Sequence, residues 1–358
     1  MTITIVGGSG FIGTRLTKRL LEAGHTVHIA DKRCSHTYPQ LWKRCDVRNA
    51  PEEKNEFTES ITDADTAPGA DAEAKKLQPM HSLVEVLEGS DVVINLSAEH
   101  RDDVEPKSLY DDVNVGGSRH ICQTCTALGI KRIIFTSTVA VYGFAPVGTD
   151  ETGKIAYFND YGRTKWLAEE EYRAWLKEDK ENGVTLIRPT VVFGEQNRGN
   201  VYNLLRQIAG GKFPMVGKGT NRKSMNYVEN IVAFIEFCLN NGAEEHLFNY
   251  CDQPAYDMNT LVLDVYKALG KPKTRIFHWP YWLGYFGGLC FDLLAKILHK
   301  KLPISAIRVK KFCQNTYFIS CRVPQSGFVA PVSLEDGIRR TIDYEFIQKV
   351  EGHTFKCE

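Results

Sequence analysis

The first 25 residues constrain the fold most strongly. The segment "TITIV" (2–6) has the apolar, β-branched composition of a short buried strand, and a glycine-rich turn and an amphipathic helix follow it in "GGSGFIGTRLTKRLLEAGH" (7–25). The turn has the spacing G-x-x-G-x-x-G, formed by Gly7, Gly10 and Gly13. Glycine at these positions permits a tight turn, close approach of the backbone to a pyrophosphate and close packing of helix on strand. The segment therefore predicts a dinucleotide-binding strand–turn–helix unit.

A second strand, "TVHIA" (26–30), ends at Asp31, where a carboxylate can bind the adenosine ribose hydroxyls. A carboxylate repels a 2′-phosphate, so Asp31 favours NAD. Lys32 and Arg33 follow directly and could attract a 2′-phosphate, so NADP remains an alternative cofactor. A third strand would place Asp46 and Val47 at its end to contact the adenine. The complete set of predicted cofactor contacts is Gly7, Gly10, Phe11, Ile12, Gly13, Asp31, Lys32, Asp46, Val47, Leu96, Ala98, Tyr161 and Lys165.

Strands and helices alternate through the first half of the chain. The further predicted strands are "WKRCDV" (42–47), "DVVINLSA" (91–98), "KRIIFTST" (131–138) and "VTLIRPTVV" (184–192), and the predicted helices cover 81–89, 107–128 and 158–181. This alternation, with strands that are apolar throughout, is typical of a parallel sheet covered by helices on both faces. The predicted fold is α/β, a Rossmann-type doubly wound parallel sheet.

The composition also predicts the domain organisation. Residues 1–190, with about 226–250, form the dinucleotide-binding domain, whereas 191–225 and 251–358, richer in Pro, Gly and aromatic residues, form a smaller α/β substrate-binding part. The acidic segment 50–79 has few large apolar residues and predicts a mobile surface insertion.

Charge and cysteine content argue against several classes of protein, namely nucleic acid-binding, disulfide-linked and metal-binding ones. Lys+Arg and Asp+Glu both total 44, and no basic, aromatic-rich stripe is present, so no nucleic acid partner is expected. The N-terminus does not resemble a signal peptide. The ten cysteines show no disulfide or metal-binding spacing, and the pair Cys122 and Cys125 is interpreted as two buried thiols. A reducing, cytoplasmic environment without a metal site is predicted.

The segment "YGRTK" carries the predicted chemistry. Tyr161 and Lys165 are four residues apart on a helix, so their side chains share one face. A lysine cation and a positive nicotinamide ring would favour the phenolate of Tyr161 and make it a general base near neutrality. Thr138, at the carboxyl end of the fifth strand, would supply a hydroxyl to the same substrate oxygen.

Five segments, "GGSGFIG", "DVVINLSA", "TSTVAVYG", "YGRTK" and "IRPTVVFG", resemble in order and spacing the extended short-chain dehydrogenase/reductase family of sugar epimerases and dehydratases. The resemblance covers most of the chain apart from 50–79. It implies bound NAD, a catalytic set of Thr138, Tyr161 and Lys165, and a homodimer that packs helices 107–128 and 158–181 of both subunits together.

The residues after Thr138 reduce the number of reactions that the chain could catalyse. Dehydratases of this family carry an Asp-Glu pair there, whereas this chain has Val139 and Ala140. Chemistry at one carbinol carbon remains: a sugar 4-epimerase, or a 4-keto sugar reductase or dehydrogenase, between which the motifs do not decide. A non-catalytic NAD-binding regulator stays open, although the intact catalytic set argues against it.

Three further segments, 98–115, 197–228 and 304–313, resemble bacterial 4-epimerases that act on N-acetylglucosamine linked to undecaprenyl diphosphate. Such enzymes supply the N-acetylgalactosamine lipid for surface polysaccharide such as O antigen. UDP-linked amino sugars remain the alternative, but Val191 stands where UDP-sugar epimerases usually have Asn, and Lys223 where they commonly have Arg. The candidate substrate contacts are Glu99, His100, Arg198, Asn200 and Lys223.

The aromatic run "WPYWLGYFGGLCF" (279–291) is thirteen residues long, whereas a membrane-spanning helix needs about 20 apolar residues. We expect an interfacial helix over about 279–298, with Trp279, Trp282 and Phe286 among its membrane-facing residues. The basic residues expected at lipid headgroups are Lys300, Lys301, Arg308, Lys310 and Lys311. This predicts a peripheral, monotopic protein at the cytoplasmic face of the inner membrane; the alternative is a core helix of the substrate-binding part.

Overall fold

The computed structural model describes residues 1–56, 79–101, 104–211, 213–273, 275–298 and 306–355. The strands are Thr2–Val6 (β1), Thr26–Asp31 (β2), Trp42–Arg44 (β3), Val92–Asn95 (β4), Arg132–Thr136 (β5), Gly183–Pro189 (β6), Val191–Phe193 (β7), Met215–Val216 (β8), Arg222–Lys223 (β9), Met225–Tyr227 (β10), Glu245–Tyr250 (β11), Tyr256–Asp257 (β12) and His278–Trp279 (β13). Seven of them form one sheet in the order β11–β6–β5–β4–β1–β2–β3, and all neighbours are parallel. The predicted Rossmann-type sheet is confirmed.

Helices lie on both faces of this sheet and in the second part of the chain. The described helices are Phe11–Glu22 (α1), Leu83–Leu87 (α2), Ser108–Tyr110 (α3), Gly117–Leu128 (α4), Asp160–Glu178 (α5), Asn200–Ala209 (α6), Val228–Phe237 (α7), Met258–Ala268 (α8), Tyr281–Leu298 (α9), Ala306–Cys313 (α10), Arg322–Gln325 (α11) and Leu334–Ile342 (α12). On one face, Ile3 and Ile5 of β1 pack in a core shared with α1 and α7. On the other, Val93 and Phe135 share a core with α4 and α5. Burial on both faces explains why these strands are apolar throughout.

Two predicted elements are divided in the structure. The predicted strand 184–192 ends in the main sheet at Pro189, and after Thr190 the chain continues as β7, which pairs with β10 instead. The predicted helix 107–128 is interrupted by a π-helical turn, Asp111–Gly116, between α3 and α4. The main-sheet ladder ends with a hydrogen bond of 3.0 Å from the Thr190 nitrogen to the Tyr250 carbonyl, and the π-turn carries a polar side chain, Asn114, that bonds outside the helix.

The remaining elements form smaller units beside the main sheet. β7 pairs with β10, β9 with β12 and β8 with β13. Most of the predicted insertion, 57–78, lies outside the described residues, and its first part is attached to the sheet domain by an ion pair of 2.6 Å between Lys54 and Glu85. The domain division remains a prediction.

The aromatic run forms a helix, as predicted, although α9 begins at Tyr281, after Pro280. In its first twelve residues, several large side chains are exposed: Tyr281, Trp282, Tyr285, Phe286, Leu289 and Phe291. Exposure of these rings does not fit the core-helix alternative. Among the described helices, none combines the length and the apolar content needed to cross a bilayer.

Candidate active site

The glycine-rich turn lies where the sheet order reverses, between β1 and the neighbouring β4, which is where open α/β sheets bind their ligands. Gly7 has a φ of +78°, and a Cβ there would lie 2.7 Å from the Ser97 nitrogen. A Cβ at Gly13 would lie 2.5 Å from Gly8 Cα. Helix α1 begins at Phe11, directly after this turn, and no side chain among the described residues caps its N-terminus. The turn and the helix N-terminus therefore have the shape and the N–H donors that a pyrophosphate requires.

Asp31 is held against the same turn. Its carboxylate oxygens accept hydrogen bonds from the Ser9 and Arg33 backbone nitrogens, each at 3.0 Å. Burial raises the pKa of Asp31, and the two backbone hydrogen bonds oppose that rise. The carboxylate predicted to bind ribose and the turn predicted to bind pyrophosphate thus form one unit.

The predicted adenine contacts, Asp46 and Val47, follow β3, and two further predicted cofactor contacts, Leu96 and Ala98, follow β4. Asp46 is buried and forms an ion pair with Arg48, with Oδ2 and Nη2 2.6 Å apart. The Val47 carbonyl lies 2.9 Å from His120 Nδ1. Leu96, with Ala98 two residues later, continues from β4, and its nitrogen donates to the Val6 carbonyl. Contact of these residues with the cofactor remains a prediction, and Asp46 already has a charged partner.

The predicted catalytic residues meet where α5 packs on the turn that follows β5. Asn159 caps α5 by accepting a hydrogen bond of 2.9 Å from the Gly162 nitrogen. A Cβ at Gly162 would lie 2.6 Å from the Ala140 carbonyl oxygen, so only glycine permits this close packing. The contact brings the Tyr161 phenol to the Thr138 hydroxyl, which opposes the rise of the phenol pKa. The structure thus places two of the three predicted catalytic residues next to each other.

Lys165 lies one turn further along α5 in an apolar environment. It is 1% exposed, and its Nζ lies 4.0 Å from the centre of the Phe135 ring. Burial lowers the pKa of Lys165 to about 7, although the Glu169 carboxylate opposes this. Burial raises the pKa of Tyr161 to about 12, and the Thr138 hydroxyl opposes that rise. The expected lowering of the Tyr161 pKa is therefore not produced by the chain alone.

A buried polar network beneath the catalytic turn was missed by the sequence analysis. Glu169 is fully buried, accepts from Arg188 Nε at 2.8 Å and from Arg173 Nη2 at 3.0 Å, and also accepts from the Ser137 hydroxyl. The Ser137 hydroxyl, next to Thr138, is therefore already bonded to a carboxylate. The detectable signal was Glu169, four residues after the catalytic lysine and thus on the same helix face.

Asn114 was missed as well. It lies in the π-helical turn, where its Nδ2 donates to the Glu99 carbonyl at 3.0 Å and to the Thr164 hydroxyl at 2.9 Å. Its Oδ1 accepts from the Glu99 nitrogen at 2.8 Å. Asn114 thus connects the loop after β4 to the helix position directly before Lys165. The signal in the sequence was an Asn two residues before the glycine pair "GG" within an otherwise regular helix.

Two candidate substrate residues lie in that same loop. Glu99 is buried, and its pKa is lowered by Arg101, whose Nε lies 3.1 Å from its carboxylate, against the opposing effect of burial. His100 is exposed, and desolvation by the surrounding protein lowers its pKa against the opposing charge of Glu99. Contact of Glu99 and His100 with the substrate remains a prediction.

The other three candidates lie in the second part of the chain. Arg198 donates to Glu345 at 2.5 Å, and Asn200 is the exposed first residue of α6. Lys223 donates to the Gln314 carbonyl at 2.7 Å, and burial lowers its pKa to about 8. Their contact with substrate remains a prediction, and the Arg198 charge is already paired with a carboxylate.

Comparison with known proteins agrees with this geometry. The sequence profile of the NAD dependent epimerase/dehydratase family matches residues 3–251. The chain is 46% identical over 99% of both chains to the N-acetyl-alpha-D-glucosaminyl-diphospho-ditrans,octacis-undecaprenol 4-epimerase of Escherichia coli O157:H7. It is 27% identical to the UDP-glucose 4-epimerase of Vibrio cholerae, over 95% of this chain and 94% of that one. The solved structure of MoeE5 in complex with UDP-glucuronic acid and NAD superposes with a TM-score of 0.68, covering 97% of this chain and 100% of MoeE5 at 20% identity.

Proposed function

Because the chain belongs to the NAD dependent epimerase/dehydratase family, we propose that it is an NAD-dependent 4-epimerase of N-acetylglucosamine linked to undecaprenyl diphosphate. The observation that carries the choice of substrate is the 46% identity over 99% of both chains to an epimerase of that name. The product would be the corresponding N-acetylgalactosamine lipid, a precursor of surface polysaccharide such as O antigen.

The cofactor site fits the family's cofactor. Side chains at Gly7 and Gly13 would collide with the backbone, and the buried carboxylate of Asp31 lies beside the turn. NAD, when bound, supplies a reversible acceptor for the hydrogen on C4 and a positive charge near the phenol. Gly10, Phe11 and the residues that follow would hold the pyrophosphate at the α1 N-terminus.

The catalytic residues would then manage the proton on O4. Tyr161 removes that proton as C4 becomes a carbonyl, and it returns the proton when the opposite configuration forms. Thr138, whose hydroxyl lies next to the phenol, donates to the same substrate oxygen in turn. Lys165, held over Phe135, places a charge that favours the phenolate when the lysine is protonated. Since the phenol pKa is about 12 in the chain alone, the charge of the cofactor is needed to activate it.

The exposed side of α9 supports a lipid-linked substrate. Trp282 is 69% exposed and Phe286 61%, and both are four residues apart on one helix face. Monomeric soluble proteins rarely expose large contiguous apolar patches without a function. We assign this face, with Trp279, to the membrane interface, which would make the enzyme peripheral at the cytoplasmic side of the inner membrane. Of the predicted basic cluster, Lys310 is exposed, whereas Lys300 and Lys301 lie outside the described residues.

The predicted homodimer through α4 and α5 remains a prediction. The outward side of these helices carries an ion pair of 2.6 Å between Arg119 and Glu171. A helix bundle formed there would have to accommodate these charges within the interface.

The substrate assignment is tested by parallel incubation with lipid-diphosphate-linked and UDP-linked N-acetylglucosamine at equal concentrations. We expect the galacto product to form faster from the lipid-linked sugar, because the exposed aromatic face matches its lipid. Separation of the released amino sugars measures both rates. Preferential conversion of the UDP-linked sugar would favour the UDP-N-acetylhexosamine 4-epimerase instead, and net consumption of NAD or NADH would indicate a reductase or dehydrogenase.

Cofactor preference provides a second test. Asp31→Asn removes the charge that repels a 2′-phosphate and keeps one of the two acceptor oxygens, so it preserves the hydrogen bond from either Ser9 or Arg33 but not both. We expect the purified wild-type protein to contain NAD and the variant to discriminate less between NAD and NADP. Calorimetric titration of both cofactors into cofactor-free protein measures this. Finding NADP in the wild-type protein would contradict the assignment.

A further inference from the structure

The last described residues lie beside the nucleotide end of the site. A π-helical turn, Asp343–Ile347, follows α12, and residues 348–355 continue from it. We call residues 343–355 the C-terminal strap. At its far end, the Phe355 ring lies 5.7 Å from the ring of Phe11, the first residue of α1. The strap therefore contacts the helix end that is expected to receive the pyrophosphate.

The strap is fastened to the loop 196–198 at two points. The Glu345 carboxylate, whose side chain is 2% exposed, accepts from the Gln196 nitrogen at 2.7 Å and from Arg198 Nη1 at 2.5 Å. Ten residues later, Phe355 donates to the Gln196 carbonyl and accepts from the Arg198 nitrogen, both at 2.8 Å. Gln196 has a φ of +71°, which is unfavourable for a residue other than glycine, and the strap bonds hold it in that conformation.

Aromatic contacts continue from Phe355 to the loop after β2. The rings of Phe355 and His353 are 4.8 Å apart and nearly perpendicular. His353 in turn lies 4.0 Å from His36, which is five residues beyond Asp31 in that loop. The series Phe11–Phe355–His353–His36 thus connects the two elements that hold the pyrophosphate and the adenosine ribose in the proposed binding mode.

We propose that the C-terminal strap is an additional wall of the dinucleotide site that slows the departure of NAD. A 4-epimerase restores its cofactor in every cycle, so loss of the cofactor between oxidation and reduction would leave an incomplete reaction. Retention of the cofactor is therefore useful to this reaction. The proposal depends on NAD binding at the glycine-rich turn and not on the identity of the lipid or nucleotide that carries the sugar.

The strap also has the means to release the cofactor. Its root is fixed by the buried Glu345, whereas Gly352 and His353 near its tip are exposed. A tip held at the surface by ring contacts and by the two backbone hydrogen bonds of Phe355 can lift while the root stays bound. NAD exchange would then require local opening of residues 352–355 and not unfolding of the domain.

Cofactor release tests this directly. The full-length protein is loaded with fluorescent 1,N6-etheno-NAD, excess NAD is added, and the release rate is followed by fluorescence. Phe355→Ala removes the ring that contacts both Phe11 and His353, and we expect release to become about tenfold faster. His353→Ala should accelerate release less, and combining it with His36→Ala should add little, because the two rings act as one contact.

Phe213→Ala is the matched control. Phe213, like Phe355, is partly buried, and it contacts the Phe312 ring at 5.7 Å, but it lies in the second part of the chain. Its release rate should equal that of the wild type. Phe355→Leu removes the ring but preserves apolar bulk. If Phe355→Ala does not fold, the NAD release rate of Phe355→Leu is measured in its place.

Unchanged release in Phe355→Ala or Phe355→Leu, or equal acceleration in the Phe213 control, would overturn the proposal. If the epimerase assignment is wrong, no sugar is converted, but the NAD release rate still responds to substitutions in the strap. The two failures can therefore be distinguished.

Discussion

Replacing Tyr161 with Phe is expected to lower the rate of C4 epimerisation by at least about a hundredfold, the usual scale for loss of a general base. The substitution keeps the ring that packs at the start of α5 and removes the hydroxyl that lies next to Thr138. NAD content should stay unchanged, because the glycine-rich turn and Asp31 belong to other elements. The measurement is the rate of galacto product formation, together with the cofactor released from the denatured protein.

Tyr172→Phe is the control for this experiment. Tyr172 lies on the same helix and is also buried, and its hydroxyl accepts a hydrogen bond of 2.7 Å from Asn95. Loss of that bond should cost about 1 kcal/mol of stability but leave turnover within a few-fold of the wild type. Near-normal turnover in Tyr161→Phe would show that another group removes the O4 proton.

The elements that depend on local pattern could be predicted from the sequence. Gly7 and Gly13 are required by contacts within the strand–turn–helix unit itself, and Asp31 ends the next strand, so spacing alone placed them. Tyr161 and Lys165 share one helix face for the same reason. The parallel sheet followed from strands that are apolar on both faces.

Features that depend on contacts distant in sequence could not be predicted. The pKa of Lys165 is lowered by its burial at Phe135, thirty residues earlier, and no local pattern signals that contact. Arg198 looked like a diphosphate contact because it precedes a helix, but its charge meets Glu345 far along the chain. The break of the predicted strand after Pro189 follows from pairing of β7 with β10 in a different sheet.

The aromatic helix α9 combines features that the sequence predicts with features that it does not. Its helical form and an outward-facing apolar side with Trp282 and Phe286 were predicted, but residue spacing alone left a core helix as the alternative. An apolar helix face of a soluble protein usually packs on its core, and only the structure shows Trp282 and Phe286 largely exposed. This exposure makes the function of the helix testable without damage to the core.

Substitution of both Trp282 and Phe286 with Ser should move the protein from membranes to the soluble fraction. Each large side chain withdrawn from an apolar phase forfeits roughly 1.5–3 kcal/mol, so the pair could weaken partitioning by about a hundredfold or more. The melting temperature and NAD content should be preserved, because neither ring belongs to the packed core. Conversion of a short, water-soluble lipid analogue should persist, while conversion of the long polyprenyl substrate should fall.

Flotation on liposomes that contain anionic lipid, measured beside a melting curve, separates the possible roles of this helix. The control replaces two exposed valines elsewhere, Val147 and Val329, with Ser, and should leave flotation unchanged. A large drop in melting temperature for the Trp282/Phe286 variant would mean that its rings stabilise the fold. Unchanged flotation with a normal melting curve would mean that the face does not bind the membrane, and the lipid-linked substrate would then have to be extracted by another surface.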